Sequence, residues 1–429
     1  MKLRPVRTWR VRLSEQRKRR RKKSNMSKIA ILGYGTVGSG VYHVLTENAD
    51  IIRKKAGESI DVKRVLDLRD FPGDPAESLV THDFSDIAED DEIDIVVETM
   101  GGTKPAYEFV KSALLAGKSV CTSNKALVAA HGTELIRIAK DKGVHFFFEA
   151  SVGGGIPILR PINRCLVADE ILSIKGILNG TTNFILTKMT DEGSDYGEAL
   201  AEAQALGYAE ADPTADVEGH DTCRKIAIMT ALAYGAQVDF EDIPTEGISG
   251  ITADDIAYAS KLGKAVKLLG LSYRKDEKIY AMVAPFLIGK ESPLHSVSGV
   301  YNAISVTGNM LDEVMFYGQG AGKDATASAV VTDVVEAVKN RDIPVEIRWD
   351  AEKLVIEPKE EMKFSFFVRI DEKEKDAIGD VFGQVDVIDG VIDGEIGFVT
   401  GPVTEKEFEE GIGRLSGVRS RIRCMEGMS

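Results

Sequence analysis

Residues 28–32 (KIAIL) run straight into Gly33-Tyr34-Gly35-Thr36-Val37-Gly38, and this junction limits the fold more than any other segment. A short apolar strand, a G-x-G-x-x-G turn and a helix make up the opening of a dinucleotide-binding βαβ unit. Gly33 permits the tight turn, Gly35 lets backbone approach a pyrophosphate, and Gly38 lets helix and strand pack closely. The following helix carries Val37, Val41, Val44 and Leu45 at helical spacing. Its N-terminus offers free N–H groups and the positive end of its dipole to phosphates, with Thr36 and Val37 in the first turn.

Strands and helices then alternate. Strands are predicted at 61–68, 93–100, 119–122 and 144–150, and helices at 105–116 and 126–142. That alternation gives a doubly wound parallel sheet with right-handed crossovers, a Rossmann-type α/β domain over residues 27–150. From 151 to 317 longer helices (196–206, 216–234, 252–269) mix with strands at 171–178, 278–288 and 301–306, which suits an α/β substrate and dimerisation domain. A Gly-rich stretch at 318–322 leads into an apolar helix at 325–338, so residues 318–340 return to complete the first domain. Residues 362–429 read as a separable strand–helix–strand–strand–helix–strand unit of the ferredoxin-like βαββαβ kind.

Charge separates the chain into two parts. Residues 1–25 hold twelve Lys or Arg against Glu15, whereas the whole chain carries −14, which leaves −25 on the remainder. An acidic body is a poor nucleic-acid surface. The basic run at 17–23 is expected to be a disordered tail (1–26) without a functional role, with Met26-Ser27-Lys28 as a natural start of the folded chain. Cys121, Cys165, Cys223 and Cys424 form no CxxC, in keeping with a reducing, cytoplasmic setting. No apolar run is long enough for a membrane span.

The chemistry-bearing residues lie at two places. An acidic loop, 207–216, feeds a helix on which Asp216 is the expected N-cap. Asp221 and Lys225, spaced i, i+4, share a face of that helix. Residues 226–233 (IAIMTALA) are wholly uncharged and nearly all apolar, so Lys225 leads into a buried helix, where desolvation and a neighbouring charge tune a proton donor. Lys125 follows an apolar strand at the carboxyl edge of the sheet, where doubly wound folds bind ligands. Asp67, at the end of the second predicted strand, is placed to hold adenosine ribose hydroxyls, while Arg69 is placed to pair with a 2′-phosphate. NAD and NADP both remain open as cofactors.

The segments GYGTVGSG (33–40), VVETMGG (96–102), SNKALVA (123–129), FEASVGGGIPI (148–158), GILNGTTNFIL (176–186), ALGYAEADPTADVEGHDTCRK (205–225) and GQGAGKDATASAVVTDV (318–334) resemble homoserine dehydrogenases. The resemblance implies reversible NAD(P)H-dependent reduction of L-aspartate 4-semialdehyde to L-homoserine, in threonine, methionine and isoleucine biosynthesis. It implies Lys225 as general acid/base, Asp221 as its positioner, and Lys125 as a contact to substrate or cofactor that shares in proton transfer. Glu210 would bind the substrate amino group, with Gly207 and Asp216 in the same subsite. Thr99 and Gly320 would line the nicotinamide side. A monovalent cation, Na+ or K+, would sit on the carbonyls of Glu149, Val152, Gly154 and Ile156. The family resemblance also implies a homo-oligomer, dimer or tetramer, acting on a small-molecule substrate with neither nucleic acid nor membrane as partner. The C-terminal unit resembles amino-acid-binding ACT domains, but residues 371–378 replace the usual Pro-Gly loop after its first strand. Two other classes fit parts of the chain: a nucleotide sensor without turnover, and a nucleic-acid factor using residues 1–25. Asp221, Lys225 and Glu210 speak against the first, since a sensor needs no proton donor.

Overall fold

The computed structural model describes residues 26–343 and 345–425. The basic tail expected at the start of the chain lies outside these. The first sheet holds β1 (Met26–Leu32), β2 (Ser59–Leu66), β3 (Val80–Thr81), β4 (Ile93–Glu98), β5 (Ser119–Thr122) and β6 (Phe146–Phe147). They lie in the order β3-β2-β1-β4-β5-β6, and every pairing is parallel. This is the doubly wound arrangement, and its two halves diverge between β1 and β4, so a crevice opens at the carboxyl ends of those strands.

β1 is buried on both faces, as a central parallel strand must be. Ile29 and Ile31 pack with Val41, Leu45, Val330 and Val334, which belong to helices Thr36–Glu47 and Lys323–Lys339. Ala30 and Leu32 face the other way, toward Val110, Leu114, Leu127 and Leu135 of helices Ala106–Leu115 and Lys125–Lys142. The late helix Lys323–Lys339 does come back to cover the first sheet. Two strands end earlier than predicted. β2 stops at Leu66 with Leu68 in solvent. β6 keeps only two residues, because the Glu149 carboxylate accepts the N–H groups of Ile158 (2.7 Å), Leu159 (2.9 Å) and Arg160 (2.7 Å) and bends the chain across.

The second sheet contains β7 (Ile171–Ile177), β9 (Ala265–Lys275), β10 (Lys278–Ile288), β11 (Tyr301–Gly308) and β12 (Asp312–Gln319); β8 (Ala236–Gln237) pairs apart from it with β13 (Asp350–Lys353). Two helix predictions need correction here. The helix placed at 252–269 ends at Lys261, after which Gly263 turns at φ 68° and β9 begins. Residues 265–272 are buried on both faces at the middle of a sheet, and such a continuous apolar run carries no period that separates strand from helix. The helix placed at 216–234 is two pieces, Thr214–Val217 and His220–Tyr234, split by Gly219 at φ 80°. Asp216 is therefore not an N-cap. The helix Gly180–Glu192 and the strand β12 had no counterpart among the predicted elements.

The C-terminal unit contains β14 (Lys363–Asp371), helix Lys375–Phe382, β15 (Asp386–Ile388), β16 (Glu395–Val399), β17 (Val403–Thr404), helix Glu405–Ile412 and β18 (Val418–Cys424). It is joined to the rest rather than separate. β18 pairs in parallel with β10, so one sheet runs β12-β11-β7-β9-β10-β18-β14-β16-β15. Phe364, Phe366 and Phe408 share a core with Leu269, Met282 and Phe286. On the same seam the Arg423 guanidinium donates to both oxygens of Glu246, at 2.7 and 2.8 Å, and to Glu405. Glu405 is 2% exposed, so it relies on Arg423 for its counter-charge. Arg423→Leu is expected to destabilise the protein by about 3 kcal/mol, because it strands a buried carboxylate. Urea unfolding checks this, and a midpoint within error of wild type would contradict it.

Candidate active site

Where the two sheets meet, the crevice widens to a cleft of about 760 Å³. One wall is the nucleotide-binding loop. Gly33 sits at φ 87°, a left-handed conformation natural to glycine, and a Cβ on Gly38 would come within 2.0 Å of the Gly33 carbonyl. Thr99 buckles the turn from below, its hydroxyl donating to the carbonyls of Leu32 (3.1 Å) and Gly33 (2.7 Å). Gly35 faces open space. The helix starting at Thr36 has no side-chain cap and no acidic residue in its first turn. Its orphan N–H groups and dipole end are thus free for an anion, and Thr36 and Val37 line the cleft. These residues fit the diphosphate of a nicotinamide dinucleotide.

The floor of the cleft is a triad of charges. Asp221 and Lys225 share one face of helix His220–Tyr234, with Lys225 Nζ 2.7 Å from Asp221 Oδ2. Lys125, which opens helix Lys125–Lys142 in the first domain, places its Nζ 2.8 Å from Asp221 Oδ1. One carboxylate therefore bridges two ammonium groups from two domains. Lys225 also donates to the Leu178 carbonyl at 2.6 Å, so two of its three N–H groups are committed. Burial pushes the Asp221 carboxyl up, but the charges of Lys225 and then Lys125 outweigh it and hold the group well below the usual range. Burial acts to lower the Lys125 pKa, and the Asp221 charge more than reverses this, so its ammonium is favoured.

Neighbouring residues fix that triad. Asn179 caps helix Gly180–Glu192 by accepting from the Thr182 N–H. Its amide donates to Asp216 at 2.7 Å and to Asp221 at 3.0 Å. Asp216 is pushed up by burial and by the charge of Asp221. Lys125 is placed by Asn124, whose side chain caps its helix at Leu127 N and whose amide donates to Glu98 and to the Gly102 carbonyl. Burial raises the Glu98 carboxyl to about 7 against hydrogen bonds from Thr122, Asn124 and the Met100 N–H. Neither Asn179 nor Glu98 was among the predicted site residues. The capping signal of Asn179 before a helix was the one sequence feature that marked it out.

Gly207, Glu210, Asp216 and Gly320 also line the cleft, as do Ser151 and Thr181. Glu210 is solvent-exposed at its edge. Gly154 lines it too and packs so closely on Gly320 that a Cβ there would lie 2.5 Å from the Gly320 carbonyl. Gly33, Gly35, Gly38, Asp67, Arg69 and Thr99 lie behind or beside the cleft rather than in its lining. Among the described residues there is no cluster of three or more His, Cys, Asp or Glu suited to a metal, and no helix long and apolar enough to cross a membrane.

Known proteins match the chain over most of its length. The model of the homoserine dehydrogenase NAD-binding domain matches residues 33–149, and that of homoserine dehydrogenase itself matches 157–335. The chain belongs to the homoserine dehydrogenase family. It is 43% identical over 322 residues to the homoserine dehydrogenase of Bacillus subtilis, covering 74% of each chain. It is 48% identical to the Synechocystis enzyme over 319 residues, covering 72% of this chain and 73% of that one. The solved homoserine dehydrogenase of Thiobacillus denitrificans superposes with a TM-score of 0.86 at 37% identity, over 93% of this chain and 98% of that one. A hyperthermophilic archaeal homoserine dehydrogenase mutant, solved with NADPH, superposes at 0.63 with 30% identity, over 74% of this chain and 99% of that one. Family membership makes the chain an NAD(P)-dependent oxidoreductase that interconverts L-aspartate 4-semialdehyde and L-homoserine.

The depressed Asp221 pKa has a consequence for stability. A carboxyl whose pKa is lower in the folded state stabilises the fold above its unfolded value near ~4 and loses that contribution as pH falls below it. The melting temperature of wild type should exceed that of Asp221→Asn at neutral pH, and the gap should narrow progressively as pH falls below about 4. A gap that stays constant down to pH 2 would contradict the assignment.

Proposed function

We propose that Lys225 is the general acid/base of this dehydrogenase, with Asp221 positioning it. When bound, the reduced nicotinamide supplies hydride to the aldehyde carbon of L-aspartate 4-semialdehyde. The chain's own contribution is a proton at the carbonyl oxygen and the alignment of substrate. Lys225 has an N–H uncommitted to the contacts described above, and its other two bonds, to Asp221 and Leu178, fix its direction. Lys125 presents a second ammonium on the opposite side of the same carboxylate, where it contacts substrate or cofactor and shares the proton. Glu210, Gly207 and Asp216 form the subsite for the substrate amino group. Gly33, Gly35, Thr36, Val37 and Gly38 hold the diphosphate, Asp67 and Arg69 meet the adenosine ribose, and Thr99 and Gly320 border the nicotinamide. The observation that carries this reading is the Lys125–Asp221–Lys225 bridge in the same cleft as the uncapped N-terminus of helix Thr36–Glu47.

The same reading extends to the family's other features. A monovalent cation would be held by the carbonyls of Glu149, Val152, Gly154 and Ile156. Gly153 and Gly154, both left-handed, bend that turn sharply, while the Glu149 carboxylate is already committed to backbone N–H groups and adds no coordinating charge. Tyr301 and Tyr317, stacked at 5.2 Å, lie with Met315 on a partly exposed face of β11 and β12, which suits a homodimer joined through this sheet. The soluble, acidic chain fits a cytoplasmic enzyme of threonine, methionine and isoleucine biosynthesis. Residues 27–150 with 318–340 form the cofactor domain, 151–317 the substrate domain, and 362–429 an ACT-like domain.

Lys225→Ala should lower turnover of L-aspartate 4-semialdehyde by about 10²–10⁴-fold while leaving NAD(P)H binding close to wild type, and it should lower the melting temperature because the buried Asp221 loses one of its two counter-charges. A rate within tenfold of wild type would sink the assignment. The ACT-like loop lacks its Pro-Gly turn, and Asp371 there is paired with Arg419 at 2.6 Å and Lys373 at 3.3 Å. L-threonine added to the same assay at millimolar concentration is therefore expected to leave the rate unchanged; clear inhibition would show that the unit still binds the amino acid.

A further inference from the structure

We propose that Asp67, locked against the glycine loop, makes this enzyme select NADH over NADPH. The inference rests on the dinucleotide reading of Gly33–Gly38. Asp67 is the residue immediately after β2, and its Oδ2 accepts the Tyr34 N–H at 2.7 Å. Tyr34 stands between the first two glycines of the loop. The carboxylate is thus one hydrogen bond from the backbone that meets the pyrophosphate, where the adenosine ribose hydroxyls of a bound dinucleotide lie.

Asp67 has little freedom to leave that place. Its side chain is 9% exposed. The loop after it is anchored by Tyr34, whose ring packs edge-on against Phe71 at 5.0 Å and whose hydroxyl donates to Asp74 at 3.0 Å. Burial would raise the Asp67 carboxyl, but hydrogen bonds from Arg69 and from the Tyr34 N–H bring it down to about 2, so it is ionised at any working pH.

The cations near it are already engaged. Arg69 forks onto the same carboxylate, Nε to Oδ1 at 3.0 Å and Nη2 to Oδ2 at 3.1 Å, and its guanidinium lies 5.1 Å from the centre of the Phe71 ring. His82 sits 2.7 Å from the Asp67 carbonyl and 3.1 Å from the Asp70 carboxylate. Over residues 67–86 the chain carries Asp67, Asp70, Asp74, Glu77, Asp83 and Asp86 against Arg69 and His82 alone.

Either cofactor must loosen the exposed Arg69 to reach Asp67, so the difference lies in what the carboxylate meets next. A 2′-hydroxyl donates to it and replaces a bond from Arg69 in kind. A 2′-phosphate can donate nothing at neutral pH and brings about two negative charges beside a fixed one, within an acidic loop. Arg69 offers a 2′-phosphate only a charge that Asp67 already neutralises.

Equilibrium titration of the full-length protein, followed by nicotinamide fluorescence without substrate, tests this independently of turnover. Wild type should bind NADH at least tenfold more tightly than NADPH. Asp67→Asn keeps an acceptor for the Tyr34 N–H and removes the charge, so the preference should shrink at least tenfold. Equal or tighter binding of NADPH by wild type, or an unchanged ratio in Asp67→Asn, would overturn the proposal. Failure of both cofactors to bind would overturn the dinucleotide reading with it.

Discussion

The bridge from Lys125 through Asp221 to Lys225 is the interaction on which the rest of the active cleft depends. A buried carboxylate without compensation costs several kcal/mol, and its pairing must be geometrically good to offset that. Here each oxygen has its own ammonium, at 2.8 and 2.7 Å, and Asn179 adds a donor at 3.0 Å. The arrangement exists only if the first turn of helix Lys125–Lys142 faces the first turn of helix His220–Tyr234 across the domain boundary. Satisfying one buried charge thereby sets how the cofactor domain and the substrate domain meet. The nets around it serve the same end: Glu98 and Asn124 fix where one helix starts, and Asn179 ties the other to the end of β7.

What was legible in the sequence follows from how local each signal is. Gly33–Gly38 announced its fold because three glycines at fixed spacing answer steric demands within one turn, and the contact of Gly38 with the Gly33 carbonyl shows that demand directly. Asp221 and Lys225 were legible as a pair because i, i+4 spacing puts them on one face. That Lys125 joins them was not legible, since nothing in residues 123–129 encodes a partner 96 positions away. The 252–269 error has the same root. A fully buried strand and a buried helix share an unbroken apolar run, and only pairing with β7 and β10 decides between them. Gly219 was visible as a glycine, but its left-handed break became meaningful only once Val283 and Thr245 were found crowding it.

The C-terminal unit shows the limit from the other side. Its internal order could be read because each element is short, amphipathic and bounded by Gly or capping residues such as Thr404. Its attachment could not. The pairing of Phe286 with Arg423 and Leu287 with Cys424 joins strands far apart in sequence, and the other face of β14 is covered by helix Ala253–Lys261, with Arg369 Nη1 2.6 Å from Asp254. A unit bound on both a strand edge and a sheet face shares its core with the second sheet. It thus supports the sheet in which β7 lies two strands beyond β10, with Leu178 and Asn179 just after β7.

Under the proposed roles, the charge balance of the cleft explains why a lysine held so firmly by a carboxylate still serves as an acid. Asp221 and the Leu178 carbonyl hold the Lys225 side chain in a fixed direction. The species that takes the proton is an alkoxide formed as hydride arrives, and an alkoxide is a far stronger base than an amine. Transfer of a proton from an ammonium to an alkoxide is downhill at that moment. The second ammonium, on Lys125, stabilises the same developing negative charge from the cofactor side. Asp216 sits beside Asp221 with its carboxyl pushed up by burial and by that neighbour, and a substrate ammonium between Asp216 and Glu210 would relieve the repulsion. The ammonium of the substrate thus adds a counter-charge to the Asp216, Asp221 and Glu210 side of the cleft.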